Sequence, residues 1–153
     1  MTLLRRLSLL VLLLSALAGC SAEKLSAPFQ QNVDQELLLA AKRGDGVGVW
    51  AALASGAVPD FTDRSGNTAL IFAARDGHLD IAELLIGYGA TVDWQDDEQV
   101  TPLILASSRN YPEIVTLLLS NGATLAIKDQ WGRTALDYAE RRGVDDPIAV
   151  MLR

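Results

Sequence analysis

The 153-residue chain has a single cysteine, Cys20, and a single histidine, His78. One cysteine excludes an internal disulfide, so the fold must rest on packing alone. One histidine, without further cysteines or clustered carboxylates around it, does not make a zinc site, and no metal or cofactor is expected. The same shortage leaves no Ser/His/Asp arrangement, and no glycine-rich phosphate loop is present. Positive charge is scarce as well: 13 Lys and Arg stand against 19 Asp and Glu, for a net charge of −6. An acidic chain repels phosphate backbones, which argues against a nucleic-acid partner. Long apolar runs are also missing. The longest, Leu7 to Ala18, covers 12 residues and is broken only by Ser8 and Ser15. A membrane-crossing helix needs about 20.

What surrounds that short run is informative. Arg5 and Arg6 precede it, and the small residues Ala16, Ala18 and Gly19 close it. A basic start, an apolar middle and a small-residue end make a secretory signal peptide over residues 1–19. The next residue is Cys20. The run Leu17-Ala18-Gly19-Cys20 resembles the lipobox of bacterial lipoproteins. That resemblance implies cleavage before Cys20 and lipid on its sulfur, with acyl chains contributing about 0.8 kcal/mol per buried CH₂. It places the protein in the periplasm as a lipid-anchored chain. Ser21, where an Asp would favour the inner membrane, points to the outer one. Loss of Arg5 and Arg6 would shift the net charge to −8. Residues 20–33 show no periodic apolar face and contain Pro28. They read as a flexible tether, its 13 residues after the cysteine spanning about 20 Å.

From residue 34 onward one period governs the sequence. Thr68, Thr101 and Thr134 are spaced by 33 residues. Leu37, Leu70, Leu103 and Leu136 keep the same step, as do Ala40, Ala73, Ala106 and Ala139. Gly56-Ala57, Gly89-Ala90 and Gly122-Ala123 repeat it, and so do Asp63, Asp96 and Asp129. Such a period signals stacked supersecondary units. Each Thr can N-cap a short first helix. Gly44, Gly77, Asn110 and Gly143 follow these helices, and these residue types tolerate a left-handed cap. Second helices over 78–86 and 112–119 carry helical apolar spacing. The text NTALIFAARDGHLDIAELLIGYGATVD and VTPLILASSRNYPEIVTLLLSNGATLAIKDQWGRTALDYA resembles the ankyrin repeat.

The resemblance implies an all-α solenoid of about four helix–turn–helix–hairpin units at 34–66, 67–99, 100–132 and 133–153. The outer two read as caps, and the last helix should begin near Pro147, displaced by up to two residues. Where the family carries a bracing His after Thr-Pro-Leu, this chain has Ile71, Ile104 and Asp137. A more apolar contact between repeats is therefore expected. His78 occupies a slot that ankyrin repeats fill often, and its role reads as structural.

The resemblance also implies a concave binding surface made of hairpin tips and first-helix faces. Carried over one repeat at a time, the partner-binding positions are Arg64, Ser65 and Asn67, then Asp97, Glu98 and Val100, then Gln130, Trp131 and Arg133. The first helices add Arg75, Arg109, Arg141 and Arg142. The recurring cations have two readings: a partner surface, or helix C-termini favoured by the dipole at roughly 0.3–1 kcal/mol each. Asp96-Asp97-Glu98 reads as a solvated turn because a calcium loop needs alternating oxygen ligands and a distal Glu. Trp131 at a hairpin tip is a candidate hot spot. Trp94 is expected to pack between hairpins, and Trp50 to be covered.

These readings favour a non-catalytic, monomeric interaction module bound to another envelope protein, as an adaptor or stress-protection partner. A periplasmic immunity protein that blocks a toxin is the alternative. An enzyme lacks its constellation. An envelope-lining spacer would need more repeats and a self-association stripe.

Overall fold

In the computed structural model, residues 30–153 are described, and residues 33–153 form one compact unit. Residues 1–29, which include Cys20 and the stretch read as a signal peptide, lie outside the described residues. The stretch read as a tether ends differently from expectation. Residues 30–43 are one helix, α1, so its last four residues are helical, and Val33 is buried. Seven further helices follow: α2 (Gly46–Ala54), α3 (Ala69–Asp76), α4 (Leu79–Gly87), α5 (Pro102–Arg109), α6 (Pro112–Ser120), α7 (Ala135–Glu140) and α8 (Pro147–Met151). No described residue is in a strand.

The helices form two layers. In the inner one α3 packs on α5 and α5 on α7; in the outer one α2 packs on α4, α4 on α6 and α6 on α8. Small residues permit the close inner spacing, since Ala69, Ala73, Ala74, Ala106, Ala135 and Ala139 are all buried. The large side chains of the core come mainly from both layers' facing stripes: Leu70, Leu103, Ile81, Leu85, Ile114 and Leu118.

Local chemistry explains where the inner helices begin. The Oγ1 of Thr68 accepts from the Ile71 N–H at 3.3 Å, and that of Thr101 from the Ile104 N–H at 3.2 Å. At Thr134 the cap is reciprocal. Its Oγ1 accepts from the Asp137 N–H, and the Asp137 carboxylate accepts the Thr134 N–H at 2.7 Å. Ile71 and Ile104 are buried, as expected of an apolar contact, whereas Asp137 is diverted to capping. Gly77 and Asn110 end α3 and α5 in the left-handed region at φ +83° and +64°.

The last unit is out of step. Helices α4 and α6 start 33 residues apart, but α8 starts 35 after α6. Asp145-Asp146 accounts for the excess. Asp146 N-caps α8 by accepting from the Ile148 and Ala149 N–H groups.

Among the described residues, one buried side-chain oxygen is unsatisfied. Ser107 occupies the column of Ala41 and Ala74, and its Oγ, fully buried, has no hydrogen-bond partner among the described residues. A stranded hydroxyl costs about 1–3 kcal/mol. Ser107→Ala should therefore raise stability by about 1 kcal/mol in urea unfolding. A decrease would mean that the hydroxyl has a partner after all.

Candidate functional site

The loops between α2 and α3, α4 and α5, and α6 and α7 are hairpins, each closed by the same device. Asp63 accepts from the N–H groups of Ser65 and Asn67, Asp96 from those of Glu98 and Val100, and Asp129 from those of Trp131 and Arg133, all at 2.9 Å. Each carboxylate thus fixes its own tip. Burial raises the Asp63 pKa, but the Asn67 and Ser65 N–H groups, the Asn67 amide and Lys42 outweigh it and leave it below the usual carboxylate range.

Hairpins join their neighbours through the backbone. The Asp97 N–H donates to the Ser65 carbonyl at 3.1 Å, and the Gln130 N–H to that of Glu98 at 3.0 Å. Trp94 reinforces the first junction, its indole N–H donating to the Gly66 carbonyl at 3.0 Å. A second set of clamps was not anticipated. Asp60 accepts from the Thr91 N–H at 2.8 Å and Asp93 from the Thr124 N–H at 2.9 Å. Their 33-residue spacing was the available signal. Val58, in the same column as Thr91 and Thr124, donates instead to Asp34 of α1 at 2.7 Å. The first helix so supplies the acceptor that a preceding hairpin would otherwise provide.

The candidate binding residues fall into three groups on this hairpin-and-inner-helix face. Ser65, Asn67, Arg75, Asp97, Glu98 and Val100 line one cavity of about 390 Å³. Val100 corrects its assignment. It is only 7% exposed and packs into the core, so it forms floor and not rim. Asn67 is spent on Asp63, which its Nδ2 also reaches at 3.1 Å. Arg75 is half-buried, paired with Asp76 at 2.8 Å, and stacked on the Phe72 ring at 4.8 Å.

The second group is an aromatic–cation stack at the other end. Trp131 is 57% exposed. The Arg133 guanidinium lies 4.5 Å from its ring centroid and 4.7 Å from that of Tyr138, and Arg141 lies 4.8 Å from Tyr138. Behind them sits Asp129, whose side chain is fully buried. It pairs with Arg133 at 3.0 Å and accepts from the Tyr138 hydroxyl at 2.7 Å. Burial raises the pKa of Asp129, but these donors and the Arg133 and Trp131 N–H groups outweigh it and hold the pKa down. The Tyr138 hydroxyl moves up, through burial and then through Asp129.

The third group is dispersed. Arg64, Gln130 and Arg109 are exposed. Arg142 also needs correcting. It binds Asp146 at 2.8 Å and donates to the Ser107 carbonyl at 2.7 Å, so it straps the last repeat to the one before. It is not a rim cation awaiting a partner.

Two other expectations resolve clearly. His78 is half-buried, and its ring covers Gly44, where a Cβ would lie 2.6 Å from Cε1. Its role is packing. Trp50 was expected to be covered but is 56% exposed. Helix α2 buries Val49, Ala52 and Leu53, and Trp50 points about 100° away from that stripe.

Among the described residues, no group of three or more His, Cys, Asp or Glu is arranged to hold a metal ion, and no helix is long and apolar enough to cross a membrane. No curated protein matches the chain. A family model for ankyrin repeats in three copies matches residues 37–129, more than half of the chain. Ankyrin repeats are generally non-catalytic protein–protein interaction modules. With its 33-residue units, Thr-capped inner helices and bonded hairpins, the chain belongs to the ankyrin-repeat family.

Proposed function

We propose that this chain is a periplasmic adaptor. Lipid on Cys20 tethers it to a membrane, the outer one by virtue of Ser21, and its hairpin-and-inner-helix face holds or recruits another envelope protein. The observation that carries the reading is Trp131, large and exposed on the last hairpin, braced by Arg133 and Tyr138. An aromatic side chain whose surroundings are already ordered loses little entropy on binding and makes a strong anchor. A bacterial lipobox at the end of a short apolar run supports the tether.

A pull-down from intact envelopes tests the surface. A Trp131→Ala, Arg109→Glu variant should lose a stoichiometric partner that the wild type captures. An unchanged partner list would overturn the assignment of this face. The tether is tested separately. Cys20→Ser should move the protein from the membrane fraction to the soluble periplasmic fraction, and continued membrane retention would refute lipidation.

A further inference from the structure

A further cavity lies on the hairpin-and-inner-helix face. It measures about 470 Å³ and lies between α1, the first hairpin and α3. Its walls are Leu38, Leu39, Phe61 and Phe72, with Lys42 and Arg64 as the cations and Asp63 as the only carboxylate lining it. Leu39 is 43% exposed.

The 33-residue columns define this cavity. Phe61 stands in the column of Trp94, whose indole fills the gap to the preceding hairpin. Phe61 belongs to the first hairpin, and the corresponding gap beside it is the cavity. Backbone chemistry agrees. The Asp97 and Gln130 N–H groups each donate to the hairpin before, whereas the N–H of Arg64, their counterpart, pairs with no described residue. The site therefore offers an apolar hole and an outward backbone donor, which together suit an extended peptide added to the stack.

Charge selects the peptide. The Asp63 carboxylate is turned onto the Ser65 and Asn67 donors of its own hairpin. Lys42 lies 5.6 Å from the Phe72 ring centroid. Neither Lys42 nor Arg64 makes an ion pair among the described residues. Two cations thus meet the cavity in a chain whose net charge is −6. Apolar contact supplies affinity in such a site and complementary charge supplies selectivity.

We propose that this end cavity binds an extended segment of a partner protein, with a large apolar side chain in the hole and acidic residues beside it, a backbone carbonyl accepting from the Arg64 N–H. This deepens the adaptor reading and rests on it.

The probe is a phage-displayed library of random twelve-residue peptides, selected on the purified full-length chain. Enriched peptides should carry Phe, Trp or Leu with Asp or Glu close by. The best synthetic peptide should bind at least tenfold more weakly to Leu39→Gln, and equally so to Lys42→Glu, Arg64→Glu. Its Lys-for-Glu counterpart should prefer the charge-reversed variant. Circular dichroism of the variants checks that the helices remain, and Leu39→Gln, on an exposed helix position, preserves helix propensity. No enrichment, a basic consensus or affinities blind to these variants would overturn the proposal. So would concentration-dependent dimerisation lost in Leu39→Gln, which would assign the cavity to a second copy of the chain. An envelope partner lost with Trp131→Ala, Arg109→Glu but kept with Leu39→Gln would leave the adaptor reading standing and remove this inference alone.

Discussion

Asp129→Ala should lower stability by about 3 kcal/mol, against about 1 kcal/mol for Asp63→Ala. The two residues occupy the same column and close the same kind of hairpin. Their surroundings differ. Asp63 is exposed and holds two backbone N–H groups and the Asn67 amide. Asp129 is buried and holds the Trp131 and Arg133 N–H groups, the Arg133 guanidinium and the Tyr138 hydroxyl. Its removal leaves several part-buried donors without their shared acceptor, and a donor left unpaired in such a place costs more than the bond itself contributes. It also releases Arg133 from between Trp131 and Tyr138. Urea midpoints of the two variants give the comparison, and equal losses would show that burial of Asp129 adds nothing.

The same carboxylate sets a dependence on pH. Its folded pKa lies below the ordinary value of 3.8. A depressed acid contributes stability that is full above the unfolded pKa and is lost as pH falls through the folded one. Asp63, Asp76 and Asp137 are lowered in the same direction, Asp76 chiefly by Arg75 and Asp137 chiefly by the Thr134 N–H. Stability should therefore hold from neutral pH to about 5 and then fall steeply below it. The fall should be shallower in Asp129→Asn, which has no carboxyl to titrate there.

The repeat was legible because each of its columns answers one physical demand. Thr68, Thr101 and Thr134 cap helices, and Asp63, Asp96 and Asp129 close turns, so both demands appear as residue types at fixed spacing. Even the displacement of α8 could be anticipated, because Asp145-Asp146-Pro147 carries a cap signal in the wrong phase. What the spacing could not reveal lies where columns break. Asp34 replaces a hairpin acceptor from inside a helix and follows no period. Arg142 shares a basic stretch with Arg141, yet a strap and an exposed cation differ only in what lies opposite. Val100 was assigned to a rim because the ankyrin resemblance puts its position at a hairpin tip, where its column holds Asn67 and Arg133, both half-buried. In that setting Val turns inward. The end cavity is a property of position in the stack. Phe61 and Trp94 look alike in sequence and differ in having a hairpin to lean on.

Gly77→Ala should cost about 2–4 kcal/mol, and Gly89→Ala only about 1–2 kcal/mol. Both glycines adopt positive φ, +83° and +88°. That strain alone accounts for the smaller figure. A Cβ on Gly89 would meet nothing within 4 Å. One on Gly77 would lie 2.6 Å from Cε1 and 2.7 Å from Cζ of Tyr111, distances that real Cβ atoms do not reach. Tyr111 N-caps α6 and packs against the core, so its ring cannot move without disturbing the contact between repeats. A double-mutant cycle separates the two contributions. In a Tyr111→Ala background the Gly77→Ala cost should shrink to the strain figure, because the clash is gone. A cost unchanged by Tyr111→Ala would locate the whole effect in the backbone. Gly44 and His78 repeat this relation one unit earlier, with a Cβ 2.6 Å from the imidazole. The only histidine of the chain thus does at the first junction what a tyrosine does at the second: a flat ring laid over a glycine that ends the helix before it. Packing of that kind requires a ring and not a proton, so His78→Tyr should preserve stability where His78→Ala does not.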